Sequence, residues 1–490
     1  MVSRTPTLSN LPPECVEEIM EYLDLDALKA LRLSSRELCI DSTGPRFKKF
    51  ISCQTMEVTK IALMSFRELA VHPLGAAVKN LKIMATVYDQ TLQLKVLNTR
   101  ENNTTDEVPP LSQAQDDLAW LQSQQQGQDE VSYDEAVDHL AFCLGHFRTL
   151  DHIELDAVLV QGPSTIMATD TGQTNWYPVW TRASRIYCMT MEAIASSGVG
   201  PKSLTVYQAT PRCSVPLYDI AANIEMLYSA NLKNAGKCIE NVALSISTKV
   251  ATGATERPPR APVACHDMPY DKGPFSAASI SSLGEDKFLE VEKFDGLARF
   301  LEITPNLKTL EIHFYQTLLK PRTQYQLMFN TVANEIRLPL LRQCSLRGIT
   351  TREDSLLQFL SNHSQITDLT LSQVSLAPEE TWGSIFTHLS RKMPHLERLH
   401  LSTLRLGNNS MINLHPVWED HSKELEENSR SGIYFVHTKV FNADDLRKGL
   451  EFWPMPVASM QGSQSASLWI LSVKKEYGPP WSNREGISMI

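Results

Sequence analysis

The chain is predicted to be an α/β protein: a short three-helix module at the N-terminus, then an irregular solenoid of helix, turn and strand repeats, then a β-rich C-terminal cap. Three observations carry this expectation. The first 47 residues hold a dense set of apolar residues at helical spacing. A pattern of apolar, two residues, apolar, one residue, apolar then recurs along most of the chain. From Gly432 onward the pattern gives way to Ile433-Tyr434-Phe435-Val436, Trp453-Pro454 and Leu468-Trp469-Ile470-Leu471-Ser472-Val473, aromatic and β-branched runs that suit a cap on the last repeat.

The N-terminal helices can be placed one by one. Pro12 and Pro13 suit a first helical turn, where their missing N–H groups would be unpaired anyway, and Glu14 sets negative charge at the positive end of the helix dipole. Val16, Ile19, Met20 and Leu23 then share one stripe, with Glu17, Glu18 and Glu21 on the other face. Asp24 and Asp26 read as turn and N-cap of a second helix with Leu28 and Leu31 on its apolar side. Ser34 and Ser35 offer the next cap, and a third helix starts near Arg36 and ends at Gly44-Pro45. Three such helices lie below the size at which a single core is usually stable alone. Phe50, Ile61, Leu63, Phe66 and Leu69 can cover their inner side, whereas the outer stripe around Leu8, Leu11 and Pro12 stays uncovered and calls for a partner.

The Leu11-Pro12-x-Glu14 start, Ile19 and Leu23, and the stretch Leu31-Arg32-Leu33-Ser34-Ser35-Arg36 resemble an F-box over residues 8 to 47. The F-box is the adaptor-binding module of ubiquitin-ligase substrate receptors. Cys15 and Val16 depart from the bulkier aliphatics common there, and Phe47 or Phe50 replaces the usual Trp or Tyr. The resemblance implies that Leu8, Leu11, Pro12, Glu14, Val16, Ile19, Leu23, Leu28 and Leu31 contact a Skp-family adaptor, and through it a cullin.

The repeated pattern is anchored at Val78/Leu81/Ile83, Leu150/Ile153/Leu155, Ile239/Val242/Leu244, Leu307/Leu310/Ile312, Leu341/Cys344/Leu346, Ile366/Leu369/Leu371 and Leu396/Leu399/Leu401, with a weaker copy at Pro201/Leu204/Val206. Its final apolar pair has the period of a strand. Amphipathic stretches precede most copies: Tyr133 to Phe147, Tyr218 to Lys233, Phe288 to Thr304, Arg352 to His363 and Pro378 to Met393. A helix, turn and strand unit cannot bury its own apolar face, so neighbours must stack. The strand resembles that of a leucine-rich repeat, without the Asn that normally follows. The last anchors are separated by 34, 25 and 30 residues, and earlier gaps reach 68 and 72, which implies insertions.

The expected organisation is therefore a helical module at 1–50, a helical linker at 51–77, the solenoid at 78–430 with flexible insertions near 99–130 and 249–282, and the cap at 431–490. The first insertion is rich in Asn, Asp and Gln, the second in Pro, Gly, Ala and Ser.

The formal charge of −10 and pI near 5.8 argue against a general binder of nucleic acid or anionic membrane. No window approaches the apolar length of a membrane span, and the N-terminus lacks a signal-peptide pattern, so a cytoplasmic or nuclear location is expected. Nine cysteines with no CxxC pair fit buried, reduced thiols. There is no GxSxG, GxGxxG after a strand, Walker loop or HExxH. His395 and His400 make a poor metal pair, and Cys265-His266-Asp267 sits in the Pro-rich insertion where nothing holds the groups together. No enzyme activity and no cofactor are expected.

Function then falls on binding. In stacked strands of this pattern the residues between the apolar ones project from the concave surface as a row of side chains about 4.8 Å apart. These are Glu311, Ser345, Thr370 and His400, followed by His313, Arg347, Ser372 and Ser402, a polar set suited to hydrogen-bond recognition of a protein segment. The expected role is substrate recognition in a Skp/cullin/F-box ubiquitin ligase, the target protein being unknown. The alternative is a leucine-rich-repeat scaffold whose N-terminal helices only cap the solenoid.

Overall fold

A computed structural model describes residues 8, 11–99, 111–147, 150–163, 165–167, 177–211, 213–227, 230–247, 294–315, 322–406, 412–414, 438–450 and 453–454. The insertion at 249–282 lies outside these residues, as do Cys265-His266-Asp267 and the aromatic runs Ile433 to Val436 and Leu468 to Val473.

The chain opens with α1 (Pro13–Met20), α2 (Leu25–Ser34), α3 (Arg36–Asp41) and α4 (Pro45–Ser52). The last is a fourth helix where the sequence suggested only the end of the third. Pro45 stops α3 from continuing and starts α4 at the position where its missing N–H is tolerated. The strand β1 (Cys53–Glu57) follows directly, then α5 (Lys60–Val71), β2 (Asn80–Tyr88), α6 (Thr91–Thr99), α7 (Leu111–Asp129), α8 (Tyr133–His146), β3 (His152–Gly162), β4 (Thr165–Met167), α9 (Tyr177–Ser197) and β5 (Ser203–Val206). Next come β6 (Val215–Pro216), α10 (Leu217–Leu227), α11 (Ala230–Cys238), β7 (Asn241–Ser247), α12 (Gly296–Ile303), β8 (Thr309–Tyr315), α13 (Arg322–Glu335), β9 (Gln343–Arg347) and β10 (Thr350–Thr351). The chain continues through α14 (Glu353–Asn362), β11 (Asp368–Ser372), β12 (Ser375–Leu376), α15 (Gly383–Arg391), β13 (Arg398–Ser402), β14 (Ile412–Asn413), β15 (Thr438–Asn442), α16 (Ala443–Lys448) and β16 (Trp453–Pro454).

One sheet runs through the molecule in the order β1-β2-β3-β5-β7-β8-β9-β11-β13-β15. Its path follows chain order, and every pair along it is parallel except β13 with β15. The strand anchors read from the sequence fall in one continuous register. Leu81, Ile153, Leu204, Val242, Leu310, Cys344, Leu369 and Leu399 form one row, and Ile83, Leu155, Val206, Leu244, Ile312, Leu346, Leu371 and Leu401 the next. All sixteen side chains are buried. Helices cross from one strand to the next and pack on these rows, which gives the mixed α/β body a single main core. The connections after β9, β11 and β13 turn at Gly348, Gln373 and Thr403, with φ of 74°, 55° and 52°. At Gly348 a Cβ would sit 2.1 Å from the Phe314 carbonyl oxygen, so glycine is required.

Two expectations are corrected. Residues 51–77 are not a purely helical linker, because β1 pairs with β2 and begins the sheet. Only Met56 of this strand is buried, so its sequence carries no alternating pattern. The polar segment near 99–130 is not irregular throughout: Leu111–Asp129 is helical, with Ala114, Leu121 and Gln128 buried at heptad spacing. Trp120 meets Tyr88 edge-on at 6.0 Å, and Gln128 Nε2 donates to the Thr86 carbonyl at 3.1 Å.

Candidate functional site

The N-terminal helices close on a small core of Val16, Met20, Leu28, Leu38 and Phe47. Their ends are fixed by side chains. Asp24 Oδ1 accepts from Ala27 N at 2.8 Å to cap α2, and Ser35 Oγ accepts from Leu38 N at 3.0 Å to cap α3. Glu17, expected on the solvent face, instead accepts from Arg46 N at 2.6 Å and satisfies the first turn of α4. Arg32 lies over the Phe47 ring at 4.0 Å and donates to the Cys39 carbonyl at 3.0 Å and Thr43 Oγ1 at 2.8 Å, tying α2, α3 and α4 together.

The residues proposed from sequence to meet an adaptor separate into three groups. Leu8, Leu11, Pro12 and Glu14 are exposed; Ile19, Leu23 and Leu31 are half-buried. Val16, at 1% exposure, and Leu28, at 0%, belong to the core and present nothing to a partner. The stripe that sequence periodicity assigned to a partner is in part the stripe that faces Phe47. Sequence reasoning left three apolar residues out of the set, Tyr22 at 84% exposure, Leu33 at 87% and Ile40 at 65%. Tyr22 lies just beyond the end of α1, and Leu33 falls off the apolar stripe of α2. These three side chains leave apolar surface in solvent on a module whose core is small.

The second surface is the face of the sheet turned away from the helices. Glu311, Ser345, Thr370 and His400 lie side by side across β8, β9, β11 and β13, and His313, Arg347, Ser372 and Ser402 form the next row. Glu311 is exposed and most of the others are half-buried. His313 is the exception. It is buried against Tyr315, ring to ring at 4.0 Å, and burial together with the adjacent Arg347 lowers its pKa to about 3. Burial keeps it neutral and leaves it little surface to offer a ligand. The first row continues onto β15, where Val440 stands opposite His400 and is exposed.

Toward β1 the same face is charged and partly covered. Lys82 Nζ bridges Glu154 at 3.0 Å and Asp156 at 2.6 Å. Burial is the largest influence on this ammonium and opposes its charge, but the two carboxylates outweigh it and the pKa rises. Tyr88 Oη donates to Glu57 at 3.0 Å, and Gln128 of α7 donates to the same carboxylate. The α7 helix therefore shields β1 to β3, whereas the eight-residue set on β8 to β13 lies beyond its contacts.

Among the described residues no group of three His, Cys, Asp or Glu side chains converges to hold a metal ion, and no helix is long and apolar enough to cross a membrane.

Residues 8–40 match the F-box domain family. An F-box domain implies a role in binding the Skp-family adaptor of a ubiquitin ligase, and the exposed Leu8, Leu11, Tyr22, Leu33 and Ile40 all belong to the matched segment. The folded unit is longer than the match, because Phe47 of α4 completes the F-box core. No curated protein matches the chain.

Proposed function

We propose that this chain is the substrate-recognition subunit of a Skp/cullin/F-box ubiquitin ligase. The F-box docks on the adaptor, and a leucine-rich-repeat-like solenoid holds a target protein on the open face of its sheet. The chain itself performs no chemistry. It raises the local concentration of target beside the ubiquitin-transfer subunits, and that proximity is its contribution to the rate. A cytoplasmic or nuclear location accords with this role.

The observation that carries the reading is the apolar surplus of the F-box. Its five-residue core is complete, yet Tyr22, Leu33 and Ile40 stand in solvent. Burying such side chains against a partner is worth roughly 1.5–3 kcal/mol each. The solenoid reading draws support from the continuous register of the inner rows and the shared turn after β9, β11 and β13. Recognition of target is assigned to Glu311, Ser345, Arg347, Thr370, Ser372, His400 and Ser402, extended by Val440. His313 supports that surface from beneath.

The test is co-expression with a Skp-family adaptor. The intact chain is expected to co-elute with it, and Leu11→Ala combined with Tyr22→Ala to weaken the complex at least about tenfold, with the unfolding of the sheet unchanged. Separate elution of the intact chain and the adaptor would overturn the proposal.

A further inference from the structure

At the edge where the parallel strands begin, the residue before each strand is held in place by the backbone. Asp151 N donates to the Lys79 carbonyl at 2.8 Å, Glu240 N to Lys202 at 2.8 Å, and Lys308 N to Glu240 at 2.7 Å. Ser203 N donates to the Asp151 carbonyl at 2.9 Å and closes the sequence. Lys79, Asp151, Lys202, Glu240 and Lys308 are thus lined up along the edge by the register of the sheet. Their side chains border a cleft of about 750 Å³.

Packing adds a fourth lysine. The backbone of α11 passes so close to Gly200 that a Cβ there would fall 1.9 Å from the Ala235 carbonyl oxygen. Asn306 Nδ2 donates to the Lys237 carbonyl at 2.8 Å and pins the end of that helix. Lys237 is thereby delivered to the cleft.

The charges do not cancel. Lys202 pairs with Asp151 at 2.7 Å and Lys308 with Glu240 at 2.9 Å. Lys79 and Lys237 make no ion pair among the described residues, so four lysines face two carboxylates in a chain of net charge −10. A local positive surplus on an acidic protein selects for a negative partner of limited size, because a long polyanion meets the repulsion of the whole chain. Among the described residues the cleft wall holds Leu150 and Leu340 and no aromatic ring. It therefore offers no stacking platform for nucleic-acid bases, but it suits the mixed chemistry of a peptide.

We propose that the cleft at the strand-start edge between Lys79 and Lys308 binds an acidic segment of a partner protein, with Lys79 and Lys237 supplying the unpaired charges. This surface is separate from both the F-box and the open face of the sheet, and the proposal does not depend on the ubiquitin-ligase reading.

The test uses the full chain and a fluorescein-labelled peptide of glutamates spaced by glycine and leucine, read by anisotropy at low and high salt. Binding at low salt that weakens at high salt is expected. Lys79→Glu with Lys237→Glu should lower affinity at least about tenfold, and the milder Lys79→Gln with Lys237→Gln about threefold, with unchanged circular dichroism. Lys29→Glu, in the F-box, should leave affinity unchanged. Equal losses for Lys29→Glu, no loss in either double variant, or tighter binding of an oligothymidine than of the peptide would each overturn the assignment.

Discussion

The F-box and the sheet handle apolar surface in opposite ways. In the F-box, five buried apolar residues support four short helices, and leucine, tyrosine and isoleucine side chains are left in water. In the sheet, both inner rows are buried from β2 to β13, and the opposite face carries mainly polar and charged groups. A self-sufficient core can show a polar face, where specificity comes from hydrogen bonds. A module with a minimal core keeps its excess apolar area for a partner, where affinity comes from burial.

Four substitutions test this contrast. Phe359, fully buried between Phe329 at 5.3 Å and His363 at 4.4 Å, should cost about 3–5 kcal/mol as Phe359→Ala. The main denaturant transition should move to lower concentration while adaptor binding survives; loss of both together would show that the two regions fold as one unit. Leu28→Ala is expected to cost about 2–4 kcal/mol, which a core of five residues cannot absorb. Adaptor binding should vanish with the main transition unmoved, and a shift of that transition would break the contrast.

His313 sharpens it through pH. Its native pKa is about 3 and the unfolded value 6.5, so the unfolded state binds more protons between these limits. Stability should therefore rise with pH through that window and be fully present above it, with a loss of about 2 kcal/mol from about pH 7 to about pH 5. His363 and His388, also lowered by burial, act in the same direction. His313→Gln should flatten this slope in denaturant titrations, and an unchanged slope would remove His313 from the account. The smallest effect is expected for Arg398→Ala. The Arg398 Nε to Asp368 contact at 2.7 Å bridges β13 and β11 in the open, where such pairs contribute less than about 1 kcal/mol. A larger loss of stability would mean that surface pairs, and not only the inner rows, hold neighbouring strands together.

The strands β2, β3, β5, β7, β8, β9, β11 and β13 were legible because each carries two apolar residues on one face, a pattern that survives irregular spacing, whereas β1, with Met56 alone buried, was not. The helix α9 was not. Ile186, Tyr187, Cys188, Met189, Met191, Ala193 and Ile194 are all buried, and a helix covered on nearly every side has no periodicity to read. In α7 the opposite holds: its buried stripe is one residue wide, and one of its three members is Gln128. The left-handed turns at Gln373 and Thr403 carry no sequence mark, since neither residue favours that conformation. On the F-box, Leu8 and Leu11 were read correctly as exposed. Val16 and Leu28 could not be told from them, because which stripe is covered depends on Phe47, supplied by a helix the sequence did not announce.

The junction between the two regions has no slack. Ser52 ends α4, Cys53 begins β1, and Ile51 packs against both hydrophobic clusters. Lys79 N donates to the Ser52 carbonyl at 2.9 Å across the same point. The helix bearing Phe47 runs directly into the edge strand of the sheet, with no residue between them. A guest seated on the sheet would have its distance and bearing from the F-box set by strand pairing, and three glycines inserted after Ser52 would change reach without touching either binding surface.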